Sequence, residues 1–141
     1  MWNLLNKKVY KRKRAQYISM EEEINKWFNK PKDDLEKAKI LFNNQKFDGA
    51  AFFCQQSIEK GLKTIILKKE KKIIKIHDLT ELGKIANLPK IFIEYCKSIT
   101  LAYIYSRYPD IDKPKNIREI VSNFIRYTQE ILLWVEKNIN I

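Results

Sequence analysis

The sequence predicts an all-α protein, an antiparallel (up-and-down) helical bundle of about five helices. Three observations carry this reading. Only three Gly and four Pro stand among 141 residues, too few for the many turns of a β-sandwich or barrel. No segment alternates apolar and polar residues over a useful length, whereas several stretches repeat apolar residues every three or four positions. Hydrophobic residues make up 45% and charged residues 32%, the balance of a globular chain whose length suits one core.

The elements follow in order. Residues 1–19 form a basic N-terminal extension, with apolar Trp2, Leu4, Leu5, Val9 and Tyr17 interrupted by Lys7, Lys8, Lys11, Arg12, Lys13 and Arg14. A translation start at Met20 is an alternative to a nucleic-acid-contacting arm or a partly helical lid. Residues 20–141 are the bundle domain. Glu21-Glu22-Glu23 make an acidic first turn. Pro31 suits the first position of a helix, with Asp33 and Asp34 in its first turn, which gives helices near 21–29 and 31–44. One helix kinked at Pro31 fits equally well. Asp48 can cap a long helix to about Lys69, whose inner face is Ala51, Cys54, Ile58, Leu62 and Ile65. Lys68 to Lys75 holds five lysines and one Glu, a solvated loop. Asp78 and Glu81 have capping-box spacing for a short helix over 79–87. Pro89 opens a helix to about Ser106, and the last helix starts near Pro114. Its stripe is Ile117, Ile120, Val121, Phe124, Thr128, Ile131, Leu132 and Val135.

Charge and composition exclude several classes of function. The net charge is +11, which points to an anionic partner. Its distribution is uneven: residues 1–19 contribute six basic side chains and no acid, leaving 22 basic and 17 acidic side chains elsewhere. Cys54 and Cys96 lie within apolar helical patterns and read as buried thiols. One His and two Cys cannot assemble a zinc-type cluster. No apolar run reaches the roughly 18 residues of a membrane span, and no secretory signal is visible, so the expected location is the cytoplasm. With no Gly-rich phosphate loop and no Ser–His–Asp signature, no cofactor or metal is expected.

Three short clusters remain as places for chemistry. Gln56, Glu59 and Lys63 recur at spacings of three and four, so they share one face of the long helix. They read either as a polar flank in which Glu59 pairs with Lys63, or as the wall of a wet cleft at a subunit interface. His77, the only histidine, either fixes the start of the helix at Asp78 or acts as a general base or phosphate contact. Arg107 ends the aromatic fourth helix, because Tyr108 before Pro109 is biased to extended backbone. It can cap terminal carbonyls and pair with Asp110 or Asp112. Its planar fork also suits phosphate, and Tyr103, Tyr105 and Tyr108 beside it could stack on bases.

The ordered set Trp27, Asp34-Leu35, Ala38, Phe47, Ala50-Ala51, Gln56, Glu59-Lys60, Leu62-Lys63, His77-Asp78-Leu79, Leu82, Tyr105, Arg107-Tyr108-Pro109-Asp110 and Trp134-Val135 resembles the HEPN domain (higher eukaryotes and prokaryotes nucleotide-binding). The resemblance covers residues 21–137. It implies a small antiparallel bundle, a homodimer, and a place beside a minimal nucleotidyltransferase in a toxin–antitoxin-like pair. Active members are metal-independent endoribonucleases whose motif is an Arg followed a few residues later by a His. Arg107 matches that Arg, but no His follows it in this sequence, and His77 belongs to a separate element. The catalytic residues are therefore unknown, and the expectation is binding of RNA or a nucleotide, or of a nucleotidyltransferase partner, through a dimeric cleft. Arg107, Tyr108, Asp110, Gln56, Glu59, Lys63 and His77 are the ligand-binding candidates. The alternatives are an active endoribonuclease and a purely structural interaction module.

Overall fold

A computed structural model describes residues 19–110 and 112–140, apart from the side chains of residues 105–107. The first helix, α1 (Met20–Asn43), begins where Ser19 Oγ accepts the Glu22 N–H at 3.1 Å. That bond satisfies one of the four free donors at the helix start, and Glu21, Glu22 and Glu23 add charge of the sign that the helix dipole favours there. Pro31 lies inside this one continuous helix. It therefore does not open a second helix, and Asp33 and Asp34 are mid-helix residues. The missing N–H of Pro31 costs one intrahelical bond. Separately, the Pro31 carbonyl accepts the Ser57 hydroxyl at 2.7 Å from the neighbouring helix.

The chain reverses through Asn44, Gln45 and Lys46, with Gln45 in the left-handed region at φ 59° and Lys46 N–H donating to the Leu41 carbonyl at 2.8 Å. Phe42 and Phe47 meet edge to face across this turn, centroids 5.5 Å apart. In α2 (Phe47–Glu70) the expected inner face Ala51, Cys54, Ile58, Leu62 and Ile65 is buried. Asp48 is not its cap. Lys46 occupies that position, and the Asp48 carboxylate accepts the adjacent Gly49 N–H at 3.0 Å and stands 4.0 Å from the Lys113 ammonium. After a connector, α3 (Leu79–Ile85) turns Leu79 and Leu82 into the core. Asp78 makes no side-chain cap bond, so the expected capping box does not form.

The fourth helix, α4 (Lys90–Arg107), starts after Pro89 as expected and ends as Tyr108 turns extended. The fifth, α5 (Ile117–Ile139), starts after Asn116, later than Pro114. The four long helices run up and down, and α2 packs against all the others. Phe52 near the start of α2 stacks on Tyr103 near the end of α4. Tyr95 stacks on Tyr127 of α5 at 3.8 Å, and the Lys68 ammonium donates to the Ile139 carbonyl where α2 and α5 both end. The α2–α5 contact is close at Gly61, where a Cβ would stand 2.8 Å from Leu132 Cδ2. Cys54 and Cys96 are buried free thiols, and burial pushes the pKa of both up to about 12. No described helix is long and apolar enough to cross a membrane.

Candidate functional site

The helical repeat places Phe52, Gln56, Glu59 and Lys63 along one side of α2, beyond the stripe that fills the core. The connector after α2 folds back toward that side. Its Ile73, Ile74 and Ile76 pack against the core, and this apolar anchoring carries His77 to Glu59. One carboxylate oxygen, Glu59 Oε2, then holds the Lys63 ammonium at 3.1 Å and His77 Nδ1 at 3.1 Å. Glu59 is only 7% exposed, whereas the His77 side chain is 78% exposed.

This geometry fixes chemistry. An ionised carboxylate only accepts hydrogen bonds, so Nδ1 carries the hydrogen. In that tautomer the Nε2 lone pair of the exposed ring is an acceptor. The Lys63 side chain, 13% exposed, is held against the helix on the same oxygen. His77 therefore has a long-range partner in Glu59, 18 residues away in sequence.

A second polar station lies on the α1 side of α2. The Lys60 ammonium meets Asp34 Oδ2 at 2.6 Å, and Lys37 stands 4.0 Å from the other carboxylate oxygen. Asp34 is 1% exposed, a buried charge that needs this pairing. Sequence reasoning read Asp34 as a helix start and missed the pair. The available signal was its register with Pro31, Leu35 and Ala38, which makes Asp34 a core-facing acid in need of a cation.

The other candidates fall elsewhere. Gln56 is half-buried on the same face of α2 as Glu59 and Lys63. Tyr108 and Asp110 are exposed beyond the end of α4. The side chain of Arg107 lies outside the described residues, and so does its expected pairing with Asp110 or Asp112. Tyr103 is one turn before Arg107 and sits level with Phe52. Gln56 is one helical turn from that level, and Lys63 about 16 Å along the axis at 1.5 Å per residue. The candidates thus form a face running along α2, with Glu59, Lys63 and His77 as its one tight cluster. Among the described residues no group of His, Cys, Asp and Glu could hold a metal ion.

Two solved structures share this fold. TT1696 from Thermus thermophilus superposes with a TM-score of 0.69 at 24% identity, over 82% of this chain and 97% of its own. ST0689, described as an archaeal HEPN homologue, gives 0.68 at 23% identity with the same coverage. No curated protein matches the chain. The model of the HEPN domain matches residues 24–138, a span that reaches every helix described above, and the chain belongs to the HEPN domain family.

Proposed function

We propose that this HEPN protein is a cytoplasmic, homodimeric protein that binds RNA or a nucleotide phosphate along the outer face of α2. The observation that carries the reading is the shared Glu59 oxygen. The buried carboxylate holds the Lys63 ammonium against α2 and fixes the orientation of the exposed His77 ring beside it, so an anionic ligand orders fewer side chains on binding. Gln56 adds an amide to the same face. Arg107 and Tyr108 at the end of α4 would meet the ligand at its far end, or meet it from a second copy. A minimal nucleotidyltransferase is the protein partner that the family resemblance suggests, and co-purification with the product of a neighbouring reading frame tests it. The test of binding is fluorescence anisotropy with a mixed-sequence oligoribonucleotide. His77→Ala and Lys63→Gln should each weaken binding about tenfold, the scale of one charge-assisted hydrogen bond. Unchanged affinity in both variants would refute the reading.

A second reading draws on the same dyad. His77 Nε2 could take the proton of a ribose 2′-hydroxyl as that oxygen bonds to the adjacent phosphorus and the P–O5′ bond breaks, the imidazolium then protonating the departing 5′-oxygen, which would make the protein a metal-independent endoribonuclease. Cleavage of the oligoribonucleotide in excess chelator, abolished by His77→Ala, separates cleavage from binding alone.

A further inference from the structure

The net charge of this chain is concentrated in two short segments. Residues 1–19 carry six basic side chains and no acid, and residues 68–75 carry five lysines and Glu70. Together they hold ten of the eleven net charges, and the rest of the chain, with 17 basic and 16 acidic side chains, is nearly neutral. The fold brings the second segment to the point where the first one ends. Met20, Glu21 and Ile24 at the start of α1 meet Lys68, Lys71, Ile139 and Asn140 around a small cavity, and Ser19 caps α1 there.

Local structure explains only part of the lysine loop. Lys68 and Lys69 complement the dipole at the end of α2. Lys68 bonds the Ile139 carbonyl, and Lys69 lies over the Trp134 ring at 5.9 Å. Lys71, Lys72 and Lys75 are exposed and form no ion pair among the described residues. We infer that this end of the bundle is a docking surface for the phosphate backbone of RNA, formed by Lys71, Lys72 and Lys75 beside the root of the basic extension. It would hold the strand electrostatically while the α2 face contacts it, so the inference rests on the RNA reading above. A lipid bilayer fits the loop less well. Ile73, Ile74 and Ile76 pack in part against the core, so the apolar area between the ammonium groups is only partly open to a membrane.

The full chain carrying Lys71→Gln, Lys72→Gln and Lys75→Gln tests this. Binding of the mixed-sequence oligoribonucleotide is followed as salt rises from about 50 to about 200 mM. Each lysine on a single-stranded phosphate contributes about 0.7 to the slope of log affinity against log salt, so the slope should fall by about 2. A control removes three lysines at the other end of the bundle, Lys46→Gln, Lys113→Gln and Lys115→Gln, and should leave most of the slope in place. Equal slopes for the triple variant and the native chain overturn the inference, as do equal losses in the two triple variants. So does binding to phosphatidylserine vesicles that needs these lysines while RNA binding does not. His77→Ala distinguishes the two claims. If it weakens binding while the loop variant keeps its slope, the α2 site stands and the docking end falls. The reverse pattern keeps the docking end and removes the site.

Discussion

One carboxylate oxygen organises the polar face of this protein. Glu59 Oε2 receives both Lys63 and His77, so losing Glu59 would release two groups at once. Arg107 poses the opposite case, a cation whose value depends on its own shape. It is the only arginine between residues 15 and 117 in a chain that otherwise prefers lysine, and it stands where α4 ends before Pro109. A guanidinium at a fixed helix end can offer two parallel donors to a phosphate, which an ammonium cannot. Arg107→Lys should therefore weaken RNA or nucleotide binding by about 1–3 kcal/mol and leave the melting temperature nearly unchanged. Calorimetry and a thermal melt on the same sample check both halves. A lowered melting temperature with intact binding would make Arg107 a helix-end strut.

Among the elements, α2 carries both the core and the candidate site, and the ion pair it makes with α1 differs in consequence from one on the open surface. Asp34 is buried against α2 and depends on Lys60 from across the helix pair. Lys60→Ala should cost about 1–3 kcal/mol in denaturant unfolding, because it leaves a buried acceptor poorly matched. Lys97 pairs with Glu94 on the open surface of α4, and Lys97→Ala should change stability by no more than about 0.5 kcal/mol. Equal effects would mean that Lys37, 4.0 Å from Asp34, suffices for the buried carboxylate. This contrast also shows what a sequence discloses. The inner stripes of α2 and α5 were legible because apolar period maps directly onto burial, and the pairing of Glu59 with Lys63 was legible because it is local. The pairs Asp34–Lys60 and Glu59–His77 span 26 and 18 residues, and no local pattern encodes them. Capping was misread for a related reason, although α3 starts after Asp78 as expected. Asp48 and Asp78 have the right residue type for a cap, but the side chain of neither makes the cap bond. Pro31 is tolerated mid-helix because the packing of α1 on α2 outweighs one lost backbone bond.

At the scale of the whole molecule, α4 carries a group of exposed large apolar side chains among the described residues. Ile91, Leu101 and Ile104 are 58%, 59% and 45% exposed, and Leu101 borders a cavity of about 340 Å³ lined by Phe47, Ala51, Ile117 and Phe124. An 18-residue helix is about 27 Å long, and its exposed strip alone falls short of the roughly 800 Å² per partner of a standard interface. A twofold pairing must therefore recruit neighbouring apolar groups, and Phe52 of α2 and Ile85 of α3 are the exposed ones at hand. Such an isologous contact would bury the second apolar stripe of α4 in both copies. It would also bring two α4 ends, with their Arg107 and Tyr108, into one assembly. The expected outcome is a dimer by light scattering at roughly 10–100 µM, where an association of micromolar strength or better is complete. Leu101→Glu together with Ile104→Glu should return a monomer with unchanged helical content, since both side chains already face solvent in the single chain. If the native chain is itself a monomer at those concentrations, the α4 surface is not a self-association face, and the ligand face must be complete within one copy.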